Sequence, residues 1–220
     1  MKAFIFAMQK EADNFLKKVK AIKTETIAKK TFTIAEYNNK QLLVVVSGIG
    51  KVNASTATTI AILKFNADTI INIGLAGSIT SAKTNVGDIL AVTKTCQYDI
   101  DLRTVDRVKL GYMQDYNSIF FNTNTAEYFL GSLKGVCASA DRFATSKELV
   151  DPDFLSLKPS ALDMEAGAIN LVAHCFNVPT IIIKVVSDIV DDDRKKNYYN
   201  NIDCALLSLE NVFNKLLCII

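Results

Sequence analysis

The sequence predicts an α/β fold of three layers, with helices on both faces of a central sheet. Two observations carry this. Apolar runs that read as strands alternate along the chain with stretches of helical periodicity. Two of the runs, Leu42-Leu43-Val44-Val45-Val46 and Ile181-Ile182-Ile183, are continuous rather than alternating, the pattern of strands covered on both faces. Taken in order, residues 3–7 open the chain as a strand and 10–20 follow as a helix. Strands are expected at 31–36 and 42–47, then an Ala- and Thr-rich helix at 53–63, then strands at 69–73 and 89–93. A third helix is expected at 164–176, a strand at 180–187 and a last helix at 202–217. In that last helix Ala205, Leu206, Leu209, Val212, Phe213 and Leu216 fall at helical spacing. Three prolines occur, and two of them, Pro152 and Pro159, fall in the least regular stretch, 146–160. No repeat or linker divides the chain, so residues 1–220 read as one domain.

Composition narrows the function. Half of the 220 residues are hydrophobic and 22% are charged, which excludes a disordered chain and leaves enough apolar surface for a layered core. The net charge of +2 gives no electrostatic footprint for nucleic acid. The opening apolar run is too short for a signal core, and no stretch approaches the about 20 apolar residues of a membrane span, so a cytoplasmic protein with no membrane partner is expected. The five cysteines (Cys96, Cys137, Cys175, Cys204, Cys218) are odd in number and widely spaced, and read as reduced core residues. With one histidine, His174, neither a histidine-ligated metal nor a serine–histidine triad is expected.

Ligands of open α/β sheets collect at the carboxyl ends of strands. There the sequence places Met8-Gln9-Lys10-Glu11, Ser47-Gly48-Ile49-Gly50-Lys51, Gly74-Leu75-Ala76-Gly77-Ser78 and Ser187-Asp188. Glycine turns let backbone N–H groups approach a ligand. Neither turn matches a dinucleotide fingerprint, and Val52 stands where a P-loop carries Ser or Thr. Glu165 lies on or beside an apolar stripe. It reads either as a buried carboxylate with partners or as an acidic residue in a first helical turn. Lys184 interrupts an apolar strand and needs a carboxylate, the site rim or water at an edge. Four strand residues span about 13 Å, so Asp188 is out of its reach in a regular strand. Asp188 reads as a site carboxylate or a helix cap, and the run Asp191 to Lys196 as a solvated loop.

Taken together, these motifs resemble the nucleoside phosphorylase/nucleosidase superfamily, and within it the 5′-methylthioadenosine/S-adenosylhomocysteine nucleosidases. The segments are Ala7-Met8-Gln9-Lys10-Glu11, Ser47-Gly48-Ile49-Gly50-Lys51-Val52-Asn53-Ala54, Ile71-Asn72-Ile73-Gly74-Leu75-Ala76-Gly77-Ser78, Val86-Gly87-Asp88-Ile89, Asp163-Met164-Glu165-Ala166 and Val186-Ser187-Asp188. The resemblance implies a central mixed, largely parallel twisted sheet and cleavage of the N-glycosidic bond of a 5′-substituted adenosine to release adenine, as in methionine salvage. No cofactor or metal is implied, and a homodimer is, its partner subunit closing the 5′ pocket. Glu11 would activate water. Glu165 and the Met164 backbone would hold the ribose hydroxyls. Asp188, supported by Ser187, would protonate the leaving adenine. Phe143 would stack on the base while the Ala144 backbone reads its edge. Ser47, Gly77 and Ser78 complete the implied substrate contacts. Leu75, Ser78, Asp163 and Lys184 depart from the family's usual Ser, Gly, Glu and Arg. Two alternatives stand beside this reading: a phosphate-dependent purine nucleoside phosphorylase, and a silent nucleoside-binding protein of the same fold.

Overall fold

A computed structural model describes residues 1–129, 133–191 and 194–217, side chains 126 and 194–197 excepted. In chain order the elements are β1 (Lys2–Phe6), α1 (Gln9–Leu16), β2 (Lys20–Ile27), β3 (Lys30–Tyr37), β4 (Lys40–Val46), α2 (Lys51–Phe65), β5 (Thr69–Ser78), β6 (Ile89–Gln97), α3 (Arg103–Asp106), β7 (Phe121–Asn122), α4 (Thr125–Tyr128), β8 (Leu133–Ser139), α5 (Pro152–Ser156), β9 (Pro159–Asp163), α6 (Ala166–Cys175), β10 (Thr180–Ile189) and α7 (Arg194–Leu217).

The continuous apolar runs form the middle of the sheet, where β4, β1, β5 and β10 lie side by side and parallel. Both faces of these strands are covered. On one, α1 and α7 press Phe15 and Phe213 against Phe4 and Phe6, with ring centroids 4.6–6.1 Å apart. On the other, α2 and α6 bring Ala54, Ala57, Ala61, Ile169 and Ala173 against Ile5, Leu43 and Val45. Small residues on these two helices let their backbones approach the sheet closely.

Beyond β10 the sheet turns back on itself. β10 pairs antiparallel with β6, β6 and β9 each pair parallel with β8, and β9 meets β5 at Gly77–Leu162. The five strands β5, β10, β6, β8 and β9 therefore close a ring. The parallel share of the sheet is its centre and part of this ring. Antiparallel pairing builds the edge β2–β3–β4.

Several elements differ from the sequence reading. The helix expected to run to residue 20 stops at Leu16, because Lys20–Ile27 is a strand. Its exposed, lysine-bearing face has no apolar alternation to announce it, as suits a sheet edge. The hairpins beside it turn on Ala28-Lys29 and Asn38-Asn39, both pairs at positive φ, the geometry of tight two-residue turns. β5 continues through Gly74 and Gly77 to Ser78, so Gly74-x-x-Gly77 is strand, not a turn. α6 begins at Ala166, with Glu165 as its N-cap rather than inside its first turn. Cys96 and Cys137 are buried, whereas Cys175 and Cys204 are exposed rather than core. Cys218 lies outside the described residues. So do Asp192 and Asp193 of the acidic run, while α7 begins at Arg194. Among the described residues no helix is long and apolar enough to cross a membrane.

Candidate active site

The strand ends and the loop after β8 surround a cavity of about 540 Å3. β1 and α1 supply Ala7, Met8, Lys10 and Glu11, and β5 supplies Leu75, Ala76 and Gly77. The β9–α6 corner supplies Leu162 to Glu165, β10 supplies Ser187 and Asp188, and the loop after β8 supplies Arg142, Phe143 and Ala144. Tyr198 and Tyr199 of α7 form the remaining side.

Glu11 occupies the third position of α1. Its Oε2 accepts the N–H of Met8, the helix N-cap, at 2.9 Å, and its Oε1 accepts the N–H of Leu75 at 2.9 Å. One carboxylate thus joins α1 to β5. Gly74 is a glycine for this reason: a Cβ there would stand 3.0 Å from Glu11 Oε1. Burial pushes the Glu11 carboxyl above its ordinary range, against the pull of the two N–H donors and Lys184.

Glu165 is held from the opposite side. Gly50 N donates to its Oε1 at 2.8 Å. Gly50 sits at φ 96°, left-handed backbone that favours glycine, and this conformation aims its N–H at the carboxylate. The first glycine turn therefore grips a protein side chain. Among the described residues, Glu165 Oε2 has no hydrogen-bond partner and is left for the cavity. Burial, followed by the neighbouring Asp163 charge, pushes the Glu165 carboxyl up to about 7.

Lys184 finds the carboxylate it needs. Its Nζ lies 2.8 Å from Asp163 Oδ2, with the two side chains 2% and 1% exposed. Asp163 also accepts Ser139 Oγ at 2.5 Å and Ala166 N at 2.8 Å. Burial opposes both charges, but the pair wins: the Asp163 carboxyl is held below its ordinary range and the Lys184 ammonium above its own.

At the far end, the pairing of β10 with β5 shifts between Val186 and Asp188, leaving Ser187 as a bulge. The bulge breaks the regular alternation assumed for this strand and brings both Ser187 and Asp188 to the cavity. Ser187 Oγ donates to Asp188 Oδ1 at 2.7 Å and lies 3.2 Å from Ala76 O. Phe143 is 44% exposed and meets Tyr198 edge-on at 6.0 Å. Burial, then Glu11 and Asp188, raise the Tyr198 phenol to about 12.

Of the residues singled out in the sequence, Glu11, Gly77, Phe143, Ala144, Met164, Glu165, Ser187 and Asp188 line one cavity. Ser47 and Ser78 do not. Ser47 Oγ donates to the carbonyls of Gly48 and Phe6, and Ser78 Oγ donates to Ser160 O, so both hydroxyls brace strand ends instead. Lys51 is likewise engaged elsewhere, its Nζ 2.6 Å from Asp99 Oδ1 and 3.0 Å from Gln97 Oε1. Sequence reasoning missed Tyr98, Arg142, Tyr198 and Tyr199. The Tyr198-Tyr199 pair was the available signal, an aromatic doublet one residue beyond a charged run.

Three carboxyl groups in three environments around a cavity with aromatic walls suit bond cleavage at a sugar carbon between a base and a nucleophile. The comparisons agree with that class. The chain belongs to the phosphorylase superfamily, whose family model matches residues 2–217. The 5′-methylthioadenosine/S-adenosylhomocysteine nucleosidase of Buchnera aphidicola subsp. Acyrthosiphon pisum (strain Tuc7) is 37% identical over 187 residues, 80% of this chain and 79% of the relative. Among solved structures, futalosine hydrolase of Helicobacter pylori strain 26695 superposes with a TM-score of 0.89 at 26% identity, covering 100% of this chain and 97% of that one. The Helicobacter pylori 5′-methylthioadenosine/S-adenosylhomocysteine nucleosidase, solved with butyl-thio-DADMe-Immucillin-A, gives 0.87 at 28%, covering 99% and 97%.

Proposed function

We propose that this protein is a purine nucleosidase: it hydrolyses the N-glycosidic bond of a 5′-substituted adenosine and releases adenine. The observation that carries the reading is the placement of Glu11, Glu165 and Asp188 on one cavity with separate partners. Adenine would lie against Phe143, with the Ala144 backbone at its edge. As the C1′–N9 bond breaks, electrons move onto the purine and Asp188 delivers a proton to N7. Ser187 orients that carboxyl by donating to its Oδ1 at 2.7 Å. The ribose becomes cationic, and Glu165, its free oxygen turned to the cavity, holds the sugar hydroxyls and the developing charge. Glu11 takes a proton from water as the water oxygen bonds to C1′. The products are adenine and the free 5′-substituted pentose, and the sum adds one water across one bond. A buried base of raised affinity for protons is better matched to this step at neutral pH than an ordinary carboxylate.

Water rather than phosphate is the nucleophile in this reading. A phosphate dianion needs cations beside the ribose. Lys51 and Lys184 are each engaged by an aspartate and Arg142 by Glu148, Lys10 at the cavity lies over the Tyr198 ring, and Glu11 and Glu165 would repel a dianion. The same reading makes the protein a cytoplasmic homodimer, the partner subunit closing the 5′ side of the cavity. Incubating the purified protein with 5′-methylthioadenosine and, separately, S-adenosylhomocysteine, while following adenine, tests it. Adenine release from either is expected. A protein that binds these nucleosides yet releases no adenine is a silent binder, and the assignment falls.

A further inference from the structure

The β9–α6 corner raises a problem that the proposed reaction does not. Lys184 is the most deeply buried cation among the described residues, and three carboxyl groups share its field: Asp163, Glu165 and Glu11. Glu165 is only two residues from Asp163, and its second oxygen has no protein partner among the described residues. A buried ammonium seeks a carboxylate, and a lysine stem is flexible enough to change partners. Paired with Glu165, Lys184 would neutralise the charge that the sugar needs and occupy the oxygen that should bind it.

Instead, the Asp163 carboxylate is fixed by three partners on three elements, Ser139 Oγ from β8, Ala166 N at the start of α6 and Lys184 Nζ from β10, with Cys137 of β8 beside it. Ser139 Oγ is itself held by Gly167 N at 2.7 Å. The site is thus built to receive one ammonium behind the cavity wall, and Lys184 does not line the cavity. Resting on the nucleosidase reading above, we propose that Asp163 is a positioning residue that sequesters Lys184, keeping Glu165 unpaired for the substrate.

The charged and titratable groups facing Glu165 are Asp163 of β9, Lys184 of β10, Glu11 of α1 and Tyr198 of α7, together with the Gly50 N–H at the start of α2. Removing Asp163 takes away a like charge and releases a cation, so both changes favour ionised Glu165. In Asp163→Asn the acid limb of kcat/KM therefore moves to lower pH. At neutral pH kcat/KM falls by about 10- to 100-fold, mainly through KM, because Glu165 is captured. Loss of the like charge alone moves that limb too, so recovery in a double variant, not the limb, separates sequestration from a structural role.

The deciding variant is Asp163→Asn/Lys184→Met, which removes the ammonium as well. With nothing left to sequester, it is expected to recover to within about tenfold of the parent. The parent is assayed first on 5′-methylthioadenosine: if it releases no adenine, the nucleosidase reading has failed and not this one. If the parent is active and the double variant, folded by its thermal melt, is as slow as Asp163→Asn, the proposal is overturned. Should Asp163→Asn itself not fold, the double variant still decides: folded and active supports sequestration, folded and inactive refutes it.

Discussion

Replacing Glu165 by Gln separates the cost of this carboxylate from its use. In the native protein the group is pushed from its ordinary 4.5 to about 7 by burial and by Asp163. In the unfolded chain it ionises near 4.5, so between these values the folded state holds the proton more tightly. Stability therefore falls as pH rises from about 4.5 to about 7 and levels off above it. At about 1.4 kcal/mol per pH unit, the ionised carboxyl costs on the order of 3 kcal/mol at pH 8. Gln keeps the acceptor for Gly50 N and carries no charge. The buried amide N–H2 must find partners, which reduces the gain to about 1–3 kcal/mol. For a chain of this size that is a rise in melting temperature of about 2–10 °C at pH 8. At pH 4.5 the difference should vanish. Thermal melts of parent and variant at the two pH values measure it. A variant equally or less stable at pH 8, or one whose gain is the same at both, would refute the electrostatic reasoning. The same variant should lose kcat rather than only raise KM, since the charge is needed most when the sugar is cationic.

Three further outcomes are expected. Asp188→Asn keeps the acceptor for Ser187 Oγ but cannot carry the transferable proton, and steady-state turnover should drop about 10²- to 10⁴-fold with the melting curve unchanged. Glu11→Gln should slow single-turnover chemistry while substrate binding, read by equilibrium titration, stays within a few-fold. A pure rise in KM would speak against a base at this position. Gly50→Ala forces a side chain into φ 96° and disturbs the N–H that holds Glu165, so a loss of about 1–2 kcal/mol in denaturant unfolding should accompany reduced activity.

The parallel centre of the sheet was legible because its strands are buried on both faces and leave continuous runs such as Leu42 to Val46. Edge strand β2 was not, since solvent rather than core chooses its side chains. The strands β8 and β9 were also missed. Their runs are short, Gly135 interrupts one and Pro159 opens the other, and only ring closure against β5 and β6 gives them partners. In the site, motif order pointed to Glu11, Glu165 and Asp188, but not to how each is held. That Gly74 makes room for Glu11, and that Gly50 points its N–H at Glu165, depends on contacts 63 and 115 residues apart in the chain. The bulge at Ser187 is invisible to alternation, which assumes a regular strand. Lys184 announced a need for a carboxylate without saying which, and Asp163 answers it through a pairing across the ring.

Water is the nucleophile at C1′ in the proposed reaction. The most direct test is a reaction run in phosphate-free buffer and again with phosphate at tens of millimolar, with both sugar and base products identified. Adenine and free pentose at the same rate in both buffers is the predicted result. Pentose-1-phosphate among the products, or no turnover until phosphate is added, would contradict it and place the chain with the phosphorylases.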